Sequence, residues 1–187
     1  PASNVIFVEA DAFCCDTPTK VYRIDPVNLE LIQEIETVMS AEPVPDGDSL
    51  IYVRYTETGG DEIRELHYTS RQDEVLYTAP SDAHILEVEY RKGARYLLFA
   101  QKPIQSDEIS ILALHRNNGG TPVPVKTLKG ENIWFAPLQQ SPFIVLYDSM
   151  CDYPEGCGGM SEPAYREIPY RFDSNTLEKF TLSPQTS

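Results

Sequence analysis

Four cysteines, three histidines and 29 carboxylates are the side chains of this 187-residue sequence on which chemistry could rest. The cysteines stand in two clusters, Cys14-Cys15 and Cys151 with Cys157. An even count suits an oxidising compartment, where disulfides persist, and would place the chain outside the cytoplasm, in the periplasm or secreted. Zinc is a weaker reading. Neither cluster has the two-residue gap of a zinc knuckle, and His67, His84 and His115 lie far from both in sequence. Free or buried thiols are the third alternative.

Signals for catalysis are few. No Gly-x-Ser-x-Gly elbow is present. Asp46-Gly47-Asp48 lacks the regular oxygen-ligand series of a calcium loop, and Gly59-Gly60-Asp61-Glu62 reads first as a hairpin loop. No glycine-rich loop precedes a helix, so no phosphate cradle is expected, and neither is a metal or another cofactor. His67 and His115 fall near strand ends and read as surface or edge residues. His84 opens a strand that would be innermost, which makes it the histidine best placed for ligand contact, with Asp82 nearby. The most distinctive surface candidate is the loop 148–163, where Met150, Tyr153, Glu155 and Met160 surround two cysteines and three glycines. Loops on a rigid scaffold are where binding concentrates; a disulfide-tethered cap is the alternative use of this one.

Composition narrows the partners. A net charge of −14 and a pI near 4.5 repel phosphate backbones and anionic membranes, so nucleic acid is not an expected partner. No run reaches the roughly 20 apolar residues of a membrane-spanning helix. The chain opens Pro1-Ala2-Ser3-Asn4 with no visible signal peptide, which fits a trimmed or a processed chain.

Strands must position these residues. Val, Ile and Tyr are abundant, 15 prolines are spread throughout, and turn clusters recur about every ten residues. Four segments share one layout: 4–10, 20–25 and 31–35; 46–55, 62–68 and 74–77; 92–100, 108–114 and 123–128; 141–147, 165–172 and 177–182. An extra strand precedes three of them, at 38–44, 84–90 and 132–137. The period of roughly 40 to 50 residues is that of propeller blades. The first strand of each triplet is nearly continuous in apolar residues, as a strand buried on both faces should be.

The segment Val44-Pro45-Asp46-Gly47-Asp48-Ser49-Leu50-Ile51-Tyr52 resembles the Pro-Asp-Gly-x-x-Leu-x-Tyr signature of TolB-like propeller repeats. The resemblance implies a single all-β domain over 1–187, propeller-like, with about four blades and a first blade one strand short; a β-sandwich is the alternative. In a closed ring of four, the first and last blades are neighbours. That arrangement implies a disulfide between the Cys14/Cys15 and Cys151/Cys157 clusters, with a local Cys151–Cys157 clip as the competing pairing. The expected function is non-catalytic binding or scaffolding, recognising a protein or glycan through one loop face; the alternative is a hydrolase or enzyme subunit with a site at the central channel. The incomplete first blade could also pair two copies into a homodimer. Non-reducing peptide mapping is expected to join a peptide carrying Cys14 or Cys15 to one carrying Cys151 or Cys157. A map holding only the local clip removes the support for closure.

Overall fold

The computed structural model describes residues 6–10, 19–24, 27–28, 30–44, 49–90, 94–115, 120–128, 132–137, 143–151, 165–173 and 179–181. Across them the chain is all strand and turn. The first sheet holds β1 (Ile6–Ala10), β2 (Thr19–Ile24), β3 (Leu31–Pro43), β4 (Ser49–Arg54), β5 (Glu62–His67) and β6 (Asp73–Thr78). The second holds β7 (Ala83–Glu89), β8 (Tyr96–Pro103), β9 (Ile109–His115) and β10 (Val123–Leu128). The third holds β11 (Asn132–Pro137), β12 (Phe143–Cys151), β13 (Tyr165–Asp173) and β14 (Lys179–Thr181). Within each sheet every strand pairs antiparallel with the next in sequence, so all three sheets are meanders.

The repeats are where the sequence places them, and one junction differs. The outer strand of the first repeat and the inner strand of the second are a single strand, β3. Its first half pairs with β2 and its second half with β4, and Val38 meets both, opposite Thr19 and opposite Arg54. The change of partner falls at Thr37, whose φ of 59° is the left-handed region that a β-branched residue rarely enters. The Thr37 carbonyl accepts the Tyr55 N–H at 2.7 Å, which holds the bend against β4.

The bend folds the sheet over. In a flat sheet β2 and β5 would lie about 14 Å apart, three strand spacings. Instead Arg23 on β2 donates from Nη1 to the Tyr68 carbonyl just past β5 at 3.1 Å, and its guanidinium lies 5.2 Å from the Tyr68 ring centre. Buried Val21 packs in one cluster with Leu50, Tyr52, Leu66 and Tyr68. The first three strands therefore lie as a short blade against the second.

Burial on both faces explains the continuous apolar runs. On β8, Leu97 and Phe99 face the first sheet, where Ile51, Val53 and Ile63 meet them. Leu98 and Ala100 face the other way, with Ile109, Ile111, Leu128 and Phe135. β4 alternates likewise, Ile51 and Val53 toward the second sheet, Leu50 and Tyr52 toward the folded-over hairpin. The outer strands β6 and β10 leave Val75 and Val123 exposed. Strand β7 packs between β3 and β11, so the leading strands of successive blades adjoin one another. A sandwich gives each sheet one covered face, whereas the middle sheet here has two. The architecture is all-β and propeller-like.

Phe99→Ala should lower unfolding free energy by about 3–5 kcal/mol in urea titrations, because the site is closed on every side. Val123→Thr on the rim should stay within about 0.5 kcal/mol.

Candidate binding face

Antiparallel order brings one class of connection to one end of the strands. Arg54 ends β4 and Pro103 ends β8, and the loops 55–61 and 104–108 follow them. Ala10 and Cys151 end β1 and β12 in the corresponding way. His84, opposite Lys102, stands at this same end of the second sheet.

Loop 55–61 is built on two glycines. Gly59 and Gly60 have φ of 81° and 82°. A Cβ on Gly59 would stand 2.6 Å from the Ser81 carbonyl oxygen, so only glycine fits the approach to loop 79–82. Gly60 N–H donates to the Ala83 carbonyl at 3.0 Å, Asp61 accepts at its own carbonyl from Ala79 N–H at 2.8 Å, and Ile104 N–H donates to the Asp82 carbonyl at 2.7 Å. Three loops from two sheets are thus hydrogen-bonded into one surface.

Asp61 lies beneath that surface with its residue fully buried. Its Oδ1 accepts the Thr56 N–H at 2.8 Å and its Oδ2 accepts the Ile85 N–H at 2.8 Å. His84 Nδ1 lies 3.2 Å from Oδ2, and the imidazole stacks on Tyr55 with ring centres 5.1 Å apart. An Nδ1–H donated to Asp61 leaves Nε2 as the ring atom open to a ligand. The His84 side chain is 23% exposed, enough for contact from outside.

Two further side chains cross the seams between sheets. Ser40 Oγ on β3 accepts the Val88 N–H of β7 at 3.3 Å. Glu87 Oε2 on β7 accepts the Phe135 N–H of β11 at 3.0 Å. Burial pushes the Glu87 carboxyl up to about 7, and the negative charge of Glu42 on β3 adds to the rise. Within the first sheet, buried Ser49 donates to buried Glu65 at 2.5 Å, and Arg64 bonds both Asp73 and Glu62. Burial, then the bond to Asp73, holds the Tyr52 phenol above its ordinary value.

Of the residues singled out from sequence, His84 is at the face, and the carboxylate that orients it is Asp61. Asp82 is exposed on loop 79–82, its carbonyl taken by Ile104. Sequence reasoning passed over Asp61, although the paired glycines before it marked a tight approach. Met150 and Cys151 close β12, opposite Arg166 and Tyr165. Cys14, Cys15, Tyr153, Glu155, Cys157 and Met160 lie outside the described residues. His115 is half-buried, edge-on to Tyr96 at 5.3 Å. Among the described residues no group of three His, Cys, Asp or Glu side chains could hold a metal ion, and no helix is long and apolar enough to cross a membrane.

No family model and no curated protein matches the chain. Solved structures do. The chain is similar to TolB from Acinetobacter baumannii over 99% of its own length and 42% of that chain, with 17% identity and a TM-score of 0.59. It is similar to an acylaminoacyl peptidase from Pyrococcus horikoshii over 97% of its length and 31% of that chain, with 12% identity and a TM-score of 0.61. It is also similar to the β-propeller domain of the trilobed protease from Pyrococcus furiosus, described as having an open velcro topology, over 98% of its length and 53% of that chain, with 11% identity and a TM-score of 0.56. At these identities the likeness is one of fold, and it is to β-propellers. The chain spans less than two thirds of each of these structures.

Asp61→Ala leaves the buried Ile85 N–H and the part-buried Thr56 N–H without an acceptor, and should cost about 3–5 kcal/mol of stability. His84→Ala should cost about 1 kcal/mol, since Asp61 keeps its backbone donors. Equilibrium unfolding of the two variants checks the order; equal losses would mean that Asp61 acts only through His84.

Proposed function

We propose that this chain is a non-catalytic binding or scaffold domain acting outside the cytoplasm, which recognises a protein or glycan through the loop face bearing His84 and the segment 148–163. One observation carries the proposal. The polar side chains at the seams accept main-chain N–H groups across them, Asp61 from Ile85, Ser40 from Val88 and Glu87 from Phe135. Such bonds hold sheets and loops in place, which suits a rigid presenting surface. The alternative, a hydrolase or enzyme subunit working at the central channel, would draw on Glu42 and Glu87 of β3 and β7; Glu87 is already engaged by β11. Pairing of two copies through β1, whose strand neighbour among the described residues is β2, belongs to the same proposal.

A photo-crosslinking residue at Tyr153 or His84 should capture a partner from the extracytoplasmic fraction, and one at Val123 on the rim should not. Alanine at Met150, Tyr153, Glu155 and Met160 together should reduce capture at least about tenfold, the loss of roughly 1.4 kcal/mol. Capture at Val123 that survives the quadruple substitution would move the binding surface to the rim.

A further inference from the structure

The geometry points to a hinged strap: β1, β2 and the first half of β3 swing as one body about Thr37, and their opening frees the main chain of Tyr55 at the loop face. The backbone defines the hinge. Thr37 is an exposed β-branched residue at a φ of 59°, so burial of its side chain does not sustain the left-handed conformation. Pairing slips on both sides of it, between Thr19 and Val21 in the ladder with β2 and between Val38 and Ser40 in the ladder with β4. A straightened β3 returns Thr37 to the extended region that β-branched residues prefer.

The strap is held together internally. Its ladders join β1 to β2 and β2 to β3, and the ladder of β3 with β4 begins at Val38, past the hinge. Lys20 on β2 pairs with Glu34 and Glu36 on β3, all three within the strap. Apart from the terminal pair of Thr19 with Val38, none of these bonds crosses the hinge, so the ladders persist when the strap opens.

The closing contacts lie on one face. Val21 and Ile35 pack in the cluster of Leu50, Tyr52, Leu66 and Tyr68. Arg23 Nη1 donates to the Tyr68 carbonyl at 3.1 Å, with the guanidinium over the Tyr68 ring. The Thr37 carbonyl accepts the Tyr55 N–H at 2.7 Å. Two local features oppose them. Thr37 is strained when the strap is closed, and Arg23 Nε is then a buried donor with no partner among the described residues, which opening exposes to water. Leu31 and Ile32 are exposed on the strap and add little to its closure.

Tyr55 carries the opening to the loop face. Its N–H loses the Thr37 carbonyl, and its ring is the one stacked on the His84 imidazole. The strap therefore biases the residue against which His84 rests, and a ligand held by Tyr55 and His84 biases the strap in return. That bearing on binding rests on the loop face being the binding surface; the opening itself does not.

Native-state amide exchange of the full chain, read at the adjacent Tyr55 and Thr56 amides, tests the strap. Tyr55 N–H is bonded to the hinge, whereas Thr56 N–H is bonded to Asp61. Tyr55 should exchange through strap opening, faster than the amides of β8, which need wider unfolding. Thr37→Gly removes the strain of the closed form and should slow Tyr55 exchange about tenfold. Arg23→Ala removes a closing contact and should speed it about tenfold. In both variants Thr56 should stay within about twofold of its rate in the unaltered protein. Tyr55 exchanging no faster than β8, failing to slow in Thr37→Gly or failing to speed in Arg23→Ala would overturn the strap. So would Thr56 moving in step with Tyr55, since the end of β4 would then be fraying with its loop. Should Arg23→Ala not fold, Thr37→Gly decides alone. No partner is needed, so the outcome is independent of whether the loop face binds one.

Discussion

The molecule depends on a buried charge that is bonded from two sides. An ionised carboxylate cannot leave water without donors to replace it, and Asp61 has them in Thr56 of its own loop and Ile85 of the next sheet. Because the two N–H groups belong to different sheets, satisfying the carboxylate fixes the sheets relative to each other. Apolar burial alone would not do so. The contacts of Phe99 with its neighbours are strong but tolerate sliding, whereas a hydrogen bond is lost over a fraction of an ångström. The glycines before Asp61 let loop 55–61 come close enough for the bonds to form.

The same device recurs with different donors and acceptors. Ser40 and Glu87 each accept a main-chain N–H from the neighbouring sheet.

Strands were legible in the sequence because period-two alternation and turn residues report burial directly. The continuous runs in β4 and β8 even showed that both faces are covered. What stayed hidden was set by tertiary contact. Thr37 carries no glycine or proline signal, so the fusion of two expected strands into β3 had no mark. The irregularity in β7 between Ile85 and Glu87 left only a faint mark, two apolar residues in succession (Ile85-Leu86) before the alternation Glu87-Val88-Glu89, and packing shows the slip. His84 was legible from its place at the head of an inner strand. Its partner was not, because Asp61 lies 23 residues earlier and reads as an ordinary turn residue.

Hydrogen exchange at the Thr56 and Ile85 amides tests most directly whether one carboxylate fastens the first sheet to the second. The two amides lie on opposite sides of the seam and share a single acceptor residue. In Asp61→Ala protein, which removes both acceptor oxygens, both should lose protection together and to a similar degree. If Ile85 keeps its full protection while Thr56 alone is freed, the sheets are held by their apolar faces and Asp61 merely closes its own loop.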